Sequence, residues 1–155
     1  MRLRPARPEE LQLLSELCLR SKAVWGYDRA FLDACRAELT IAPHELATSQ
    51  ISVAEHEGSV VGVAQVTIDG GTADLQKMFV EPRAIGRGVG KALFDWATAT
   101  AKSLGADVLQ IDADPGAVGF YKKMGATECG SAPSASIPGR LLPRLQVELA
   151  ALVAG

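Results

Sequence analysis

Apolar residues recur at three- and four-residue spacing near the start of the chain, then give way to β-branched runs after about residue 50. Leu11, Leu14, Leu17 and Cys18 form one stripe of a helix predicted from about Pro8 to Arg20, with proline early and Glu9 and Glu10 in its first turn. Such a stripe must bury, and a sheet is its expected partner. A loop, Ser21 to Tyr27, leads to Asp28, an N-cap for a second helix reaching about Leu39 with Phe31, Leu32 and Cys35 inward. Arg2 to Ala6 reads as a short edge strand, and Pro43 to Ser49 as a helical turn or two.

Ile51 to Ala54 and Val60 to Ile68 are strand patterns separated by Glu57-Gly58-Ser59, a hairpin signal. Asp69-Gly70-Gly71 is a second turn, and Thr72 to Val80 the next strand, so three antiparallel strands are expected in a row. Val89 to Leu104 reads as a long helix closed by Gly105, followed by a strand over Val108, Leu109 and Ile111. A short helix, about Ala117 to Met124, is closed by Gly125, and a last pair of strands is expected at Thr127 to Ala132 and Leu142 to Leu149. The strands before and after the long helix make a βαβ unit and should lie parallel. The fold class is therefore α+β, a mostly antiparallel mixed sheet with a central βαβ unit and helices on both faces.

Composition narrows the function. The 155 residues read as one domain, 1–155, large enough to bury a core without metal or disulfide support. A net charge of -2 argues against a broad nucleic-acid footprint. Cys18, Cys35 and Cys129 are far apart and lack CxxC spacing, so they read as free thiols and no metal site is expected. No stretch has the apolar length of a membrane span, and the N-terminus lacks a signal-peptide core, so a cytoplasmic location is the default expectation.

The candidate chemistry lies at Gly86-Arg87-Gly88-Val89-Gly90, a glycine-rich turn that follows a strand and opens a helix. The first turn of a helix carries unpaired N–H groups and the positive end of the macrodipole, and glycine lets a phosphate approach the backbone. Arg87 and Lys91 flank the turn and can add charge-assisted bonds. The spacing lacks GxxxxGK[ST], which excludes a nucleoside-triphosphate loop, and GxGxG after a meander disfavours a dinucleotide fold. On this motif alone, a turn needed only for tight strand-to-helix packing stays open.

Phe79-Val80-Glu81-Pro82 through Gly86 to Leu93, followed by Asp114 to Gly125 with Phe120-Tyr121, resembles the two acetyl-CoA motifs of the GNAT superfamily of N-acetyltransferases. The resemblance is strong from about Thr72 to Ala126 and weak in the N-terminal third. Two positions depart from the pattern: Ile85 stands in place of the usual Arg or Gln, and Asp114 in place of Asn.

The resemblance implies acetyl-CoA as cofactor. It is expected to be held by the main chain of Met78, Phe79 and Val80, by Gly86 to Lys91 with Arg83 in support, and by Asp114 and Phe120. Tyr121 takes the place of the family's proton donor to the CoA sulfur, with a buried core aromatic as the other reading. For the general base, Asp112 and Gln110 on one strand and Asp74 and Gln76 on another are placed by alternation, and Asp112 is the one chosen. Trp25 and Tyr27, with Asp28, are candidates for a wall beside a cationic amine, or simply anchors of their loop.

The expected activity is transfer of acetyl to an amine of a small molecule or peptide, without nucleic acid or membrane, with a homodimer left open. A non-catalytic acyl-CoA-sensing module is the alternative.

Overall fold

The computed structural model describes residues 1–149. Arg2–Pro5 is the edge strand β1; after the helices described below come β2 (Gln50–His56), β3 (Ser59–Asp69), β4 (Thr72–Val80), β5 (Val108–Asp112), β6 (Thr127–Pro133) and β7 (Leu141–Glu148). They form one sheet in the order β1-β2-β3-β4-β5-β7-β6. The meander β2, β3, β4 is antiparallel and β4 pairs parallel with β5, as the βαβ pattern requires. No helix among the described residues is long and apolar enough to cross a membrane.

Helix α1 runs Leu11–Ala23 and α2 Arg29–Leu39. The first begins three residues later than the periodicity suggests, because Pro8–Glu10 form a 3-10 turn. The Glu10 carboxylate accepts from the Arg7 N–H at 2.9 Å and from Arg4 at 2.7 and 2.8 Å, which holds this segment against the edge strand. Asp28 caps α2 by accepting from the Phe31 N–H at 2.8 Å. A single turn, α3 (Glu45–Thr48), precedes β2.

Helices α4 (Val89–Ser103) and α5 (Val118–Lys123) cover the other face. One core, around Leu93, Phe94, Ala97, Leu109 and Leu145, lies beneath α4 and α5; a second, around Leu14, Leu17, Cys35, Leu39 and Val53, lies beneath α1 and α2. The start of α4 is pressed onto β3 at Gly62, where a Cβ would lie 2.8 Å from a Leu93 methyl and 2.9 Å from a Val89 methyl. Only glycine permits that approach.

Candidate active site

Strands β4 and β5 pair at Thr72 with Val108, Ala73 with Leu109 and Asp74 with Gln110, and there the ladder stops. Strand β5 keeps its other neighbour, pairing with β7 as far as Asp112 opposite Arg144. Strand β4 keeps β3 but carries one extra residue: Leu75 faces Val66 and Lys77 faces Gln65, so Gln76 is a bulge. A bulge bends and twists its strand, here just where β4 leaves β5. The Glu81 N–H donates to Val61 on β3, so two-residue alternation turns the main chain of Phe79 to β3 as well, against the expectation that it faces the cofactor, and leaves only Met78 and Val80 of the three with main-chain groups on the opposite, unpaired edge.

At the C-terminal end of this gap sits the glycine turn. The six N–H groups from Gly86 to Lys91 donate to no acceptor within the described residues. Gly86 and Gly88 have φ of +85° and +81°, a left-handed conformation that glycine adopts without strain. A cleft of about 530 Å³ joins turn and gap, and runs on between α1, α2 and the turn preceding α5. Its walls include Met78, Phe79, Val80, Gly86, Gly88, Gly90, Lys91, Asp114 and Phe120, all expected at the cofactor. Backbone donors at a helix start beside an open strand edge form a fitting cradle for a diphosphate and an amide-bearing arm.

Helix α5 brings Tyr121 to the cleft wall with only 6 % of its surface exposed. Its ring lies 5.8 Å from Phe94 and 5.3 Å from Phe120. It is thus both a core aromatic and a cleft residue. The hydroxyl makes no hydrogen bond within the described residues, and burial pushes the phenol pKa up, so it stays protonated. Phe120 seats α5 on the start of α4: a Cβ at Gly90 would meet its ring at 3.2 Å.

Asp112 lines the cleft with both oxygens engaged, accepting from Arg144 Nε at 2.7 Å and from its terminal nitrogen at 3.1 Å. Asp74 lies at the last paired rung and does not line the cleft; burial, then the Asp112 charge, raises its pKa. Asp114 accepts the Gly116 N–H at 3.0 Å and the Tyr27 hydroxyl at 2.6 Å, with Lys22 and Arg140 at 3.7 and 3.8 Å. Its charge is thereby compensated inside the protein. Burial, then the bond to Asp114, raises the Tyr27 pKa.

Trp25, 48 % exposed, lines the cleft and lies flat on Gly116, where a Cβ would come within 2.7 Å of the ring. Tyr27 and Asp28 do not line it: Tyr27 is stacked on Phe31 at 4.0 Å and bonded to Asp114, and Asp28 caps α2. Arg83, Arg87 and Val89 line a separate cavity of about 170 Å³ with His56, while Lys91 pairs with Asp95 at 2.7 Å. Ile85 is exposed on the cleft wall.

Lys77 is the cleft residue that strand alternation hides. Ala73 and Leu75 face α4; Lys77 and Phe79, which strict alternation would place beside them, face α1 and α2 because Gln76 intervenes. Glu38, from the same side, also lines the cleft and accepts from the Ser136 hydroxyl. Arg140 joins Tyr27 from 113 residues away in sequence, where no local pattern could signal it.

The GNAT acetyltransferase domain family matches residues 47–125, from the end of α3 through α5. The PaiA N-acetyltransferase from Thermoplasma acidophilum, solved with coenzyme A, shares the fold with a TM-score of 0.80 at 16% identity, over 95% of this chain and 98% of that one. A GCN5-related N-acetyltransferase from Rhodopseudomonas palustris superposes with a TM-score of 0.76 at 24% identity, over 95% and 94% of the two chains. Nourseothricin acetyltransferase is 27% identical over 66% of each chain, with a TM-score of 0.59. No curated protein sequence matches.

Proposed function

We propose that this chain, which belongs to the GNAT acetyltransferase family, moves the acetyl group of acetyl-CoA to an amine by direct attack. The observation that carries the reading is the run of unpaired N–H groups at the glycine turn, of which Gly86, Gly88, Gly90 and Lys91 line the cleft that reaches the gap between β4 and β5. Bound there, acetyl-CoA would supply an activated thioester. The turn and the positive end of α4 hold the diphosphate, and the unpaired edge at Met78 and Val80 holds the pantetheine amides and the thioester oxygen. N–H donors fixed in advance stabilise charge as it builds on that oxygen.

The amine nitrogen forms the new C–N bond while the C–S bond breaks. Tyr121 donates its O–H to the departing sulfur, and solvent returns the proton. Asp112 takes the proton released by the amine through water; Arg144 fixes the carboxylate's orientation and leaves each oxygen a further lone pair. Trp25 forms part of the acceptor wall.

Calorimetry with acetyl-CoA, followed by thiol release over an amine panel, tests the reading. Micromolar-range binding and turnover on at least one amine are expected. No binding would overturn it, and binding without turnover on any amine would leave the acyl-CoA-sensing module.

A further inference from the structure

Lys77 is 7 % exposed, and among the described residues its ammonium makes one hydrogen bond, to Gln65 Oε1 at 3.2 Å. That carbonyl is held in place from behind. Gln65, 1 % exposed, donates its amide nitrogen to Ser49 Oγ at 2.9 Å and to Glu45 Oε1 at 3.2 Å, which turns its oxygen to Lys77. Glu45 in turn accepts the Ala42 N–H at 2.5 Å. A lysine ammonium has three donors, and no described residue accepts from the other two. A buried ammonium in contact with one neutral amide is costly unless an anion completes its shell. Glu45 supplies negative charge only from beyond Gln65.

Lys77 lines the cleft, on the α1 and α2 side of the sheet, whereas Tyr121 and the α4 start belong to the other side. An anion reaching Lys77 therefore comes with the acceptor. Lys22 and Lys91 also line the cleft but face Asp114 and Asp95, and Asp112 faces Arg144, so among the described residues Lys77 beside Glu38 is the cleft cation left to an incoming anion, which favours a monoanion. We propose that the acceptor is an amine carrying a carboxylate, and that Lys77, oriented by Gln65, is the residue that binds that carboxylate. The proposal rests on the acetyltransferase reading for the amine and adds the acceptor's class.

The test compares α-amino acids with their α-carboxamides, and adds phosphoethanolamine, in thiol release by wild type, Lys77→Met and Lys77→Arg. In parallel, N-acetylated amino acids and their carboxamides are titrated calorimetrically without cofactor. Wild type should favour the carboxylate of the best pair by about thirtyfold or more in kcat/KM and in product affinity. Lys77→Met should shrink that ratio to within about threefold with acetyl-CoA affinity unchanged, and Lys77→Arg should keep part of it. Equal use of carboxamides by wild type, or an undiminished ratio in Lys77→Met, overturns the assignment. Preference for phosphoethanolamine overturns the carboxylate class. Should Lys77→Met fail to fold, the wild-type ratio and Lys77→Arg decide. Carboxylate binding without acetyl-CoA binding would remove the acetyltransferase reading and leave the Lys77 site standing.

Discussion

The hydroxyl of Tyr27 donates a 2.6 Å hydrogen bond to Asp114 across 87 residues of sequence, tying the loop before α2 to the turn before α5. Arg140 donates to the same hydroxyl at 2.6 Å and lies 5.1 Å above the Tyr27 ring, so the loop between β6 and β7 is fastened to the same point. Hydrogen bonds to charged groups contribute more than neutral ones, and this one is partly buried. Tyr27→Phe is expected to cost about 1–2 kcal/mol, read from denaturant midpoints at constant slope. A loss under about 0.3 kcal/mol would mean that Lys22 and Arg140 alone hold Asp114.

Trp25 rests on Gly116, lines the cleft and leaves nearly half its surface exposed, so its removal should touch binding more than folding. Trp25→Ala should raise the acceptor KM severalfold and the acetyl-CoA KM less, with kcat little changed, as loss of uniform binding to one substrate requires. The reverse pattern of KM values would place the ring on the cofactor side.

Gly88 and Gly58 offer a matched pair. Both have left-handed backbones, φ +81° and +80°, and at neither would a Cβ meet another atom within 4 Å. Valine at either position strains the chain by about 1–2 kcal/mol or more. Only Gly88 lines the cleft, at the proposed phosphate cradle. Gly88→Val should abolish acetyl-CoA binding in calorimetry, while Gly58→Val, in the hairpin between β2 and β3, should bind as wild type at a similar cost in stability. Equal affinities in the two variants would move the site elsewhere.

Tyr121 keeps its proton throughout the working range because burial raises its pKa. Tyr121→Phe should therefore lower kcat by roughly ten- to a thousandfold with acetyl-CoA affinity preserved. A kcat within twofold of wild type, measured where chemistry limits turnover, would assign the sulfur's proton to water. Stability supplies a second readout. Above pH of about 10 the unfolded phenol ionises while the folded one does not, so wild type loses about 1.4 kcal/mol per pH unit that Tyr121→Phe retains.

The sequence discloses the elements whose causes are local. Asp28 caps α2 with its own side chain three residues from the Phe31 N–H, and glycine at 86 and 88 lets the turn take positive φ without strain. The neighbours β2, β3, β4 and β5 follow from hairpin turns and one crossover, whereas the placing of β7 rather than β6 beside β5 does not. What stays hidden depends on distant partners. Asp112 and Asp74 look alike by alternation, yet register places Arg144 against the first and leaves the second at the last paired rung. Arg83 and Arg87 lie beside the turn's glycines in sequence and fall on a different cavity, while Ile85 and Gly86 between them line the cleft. Lys77 is concealed by a single bulge.

That bulge separates shape from chemistry. Leu75 opposes Val66 and Lys77 opposes Gln65, so excising Gln76 would leave every flanking side chain on its present face and remove only curvature. A straightened β4 would run on beside β5, and its unpaired edge would be sealed by the neighbouring strand. The parting of β4 from β5, and with it the width of the cleft, thus depends on the insertion of one glutamine whose exposed side chain is turned to Thr67 on β3.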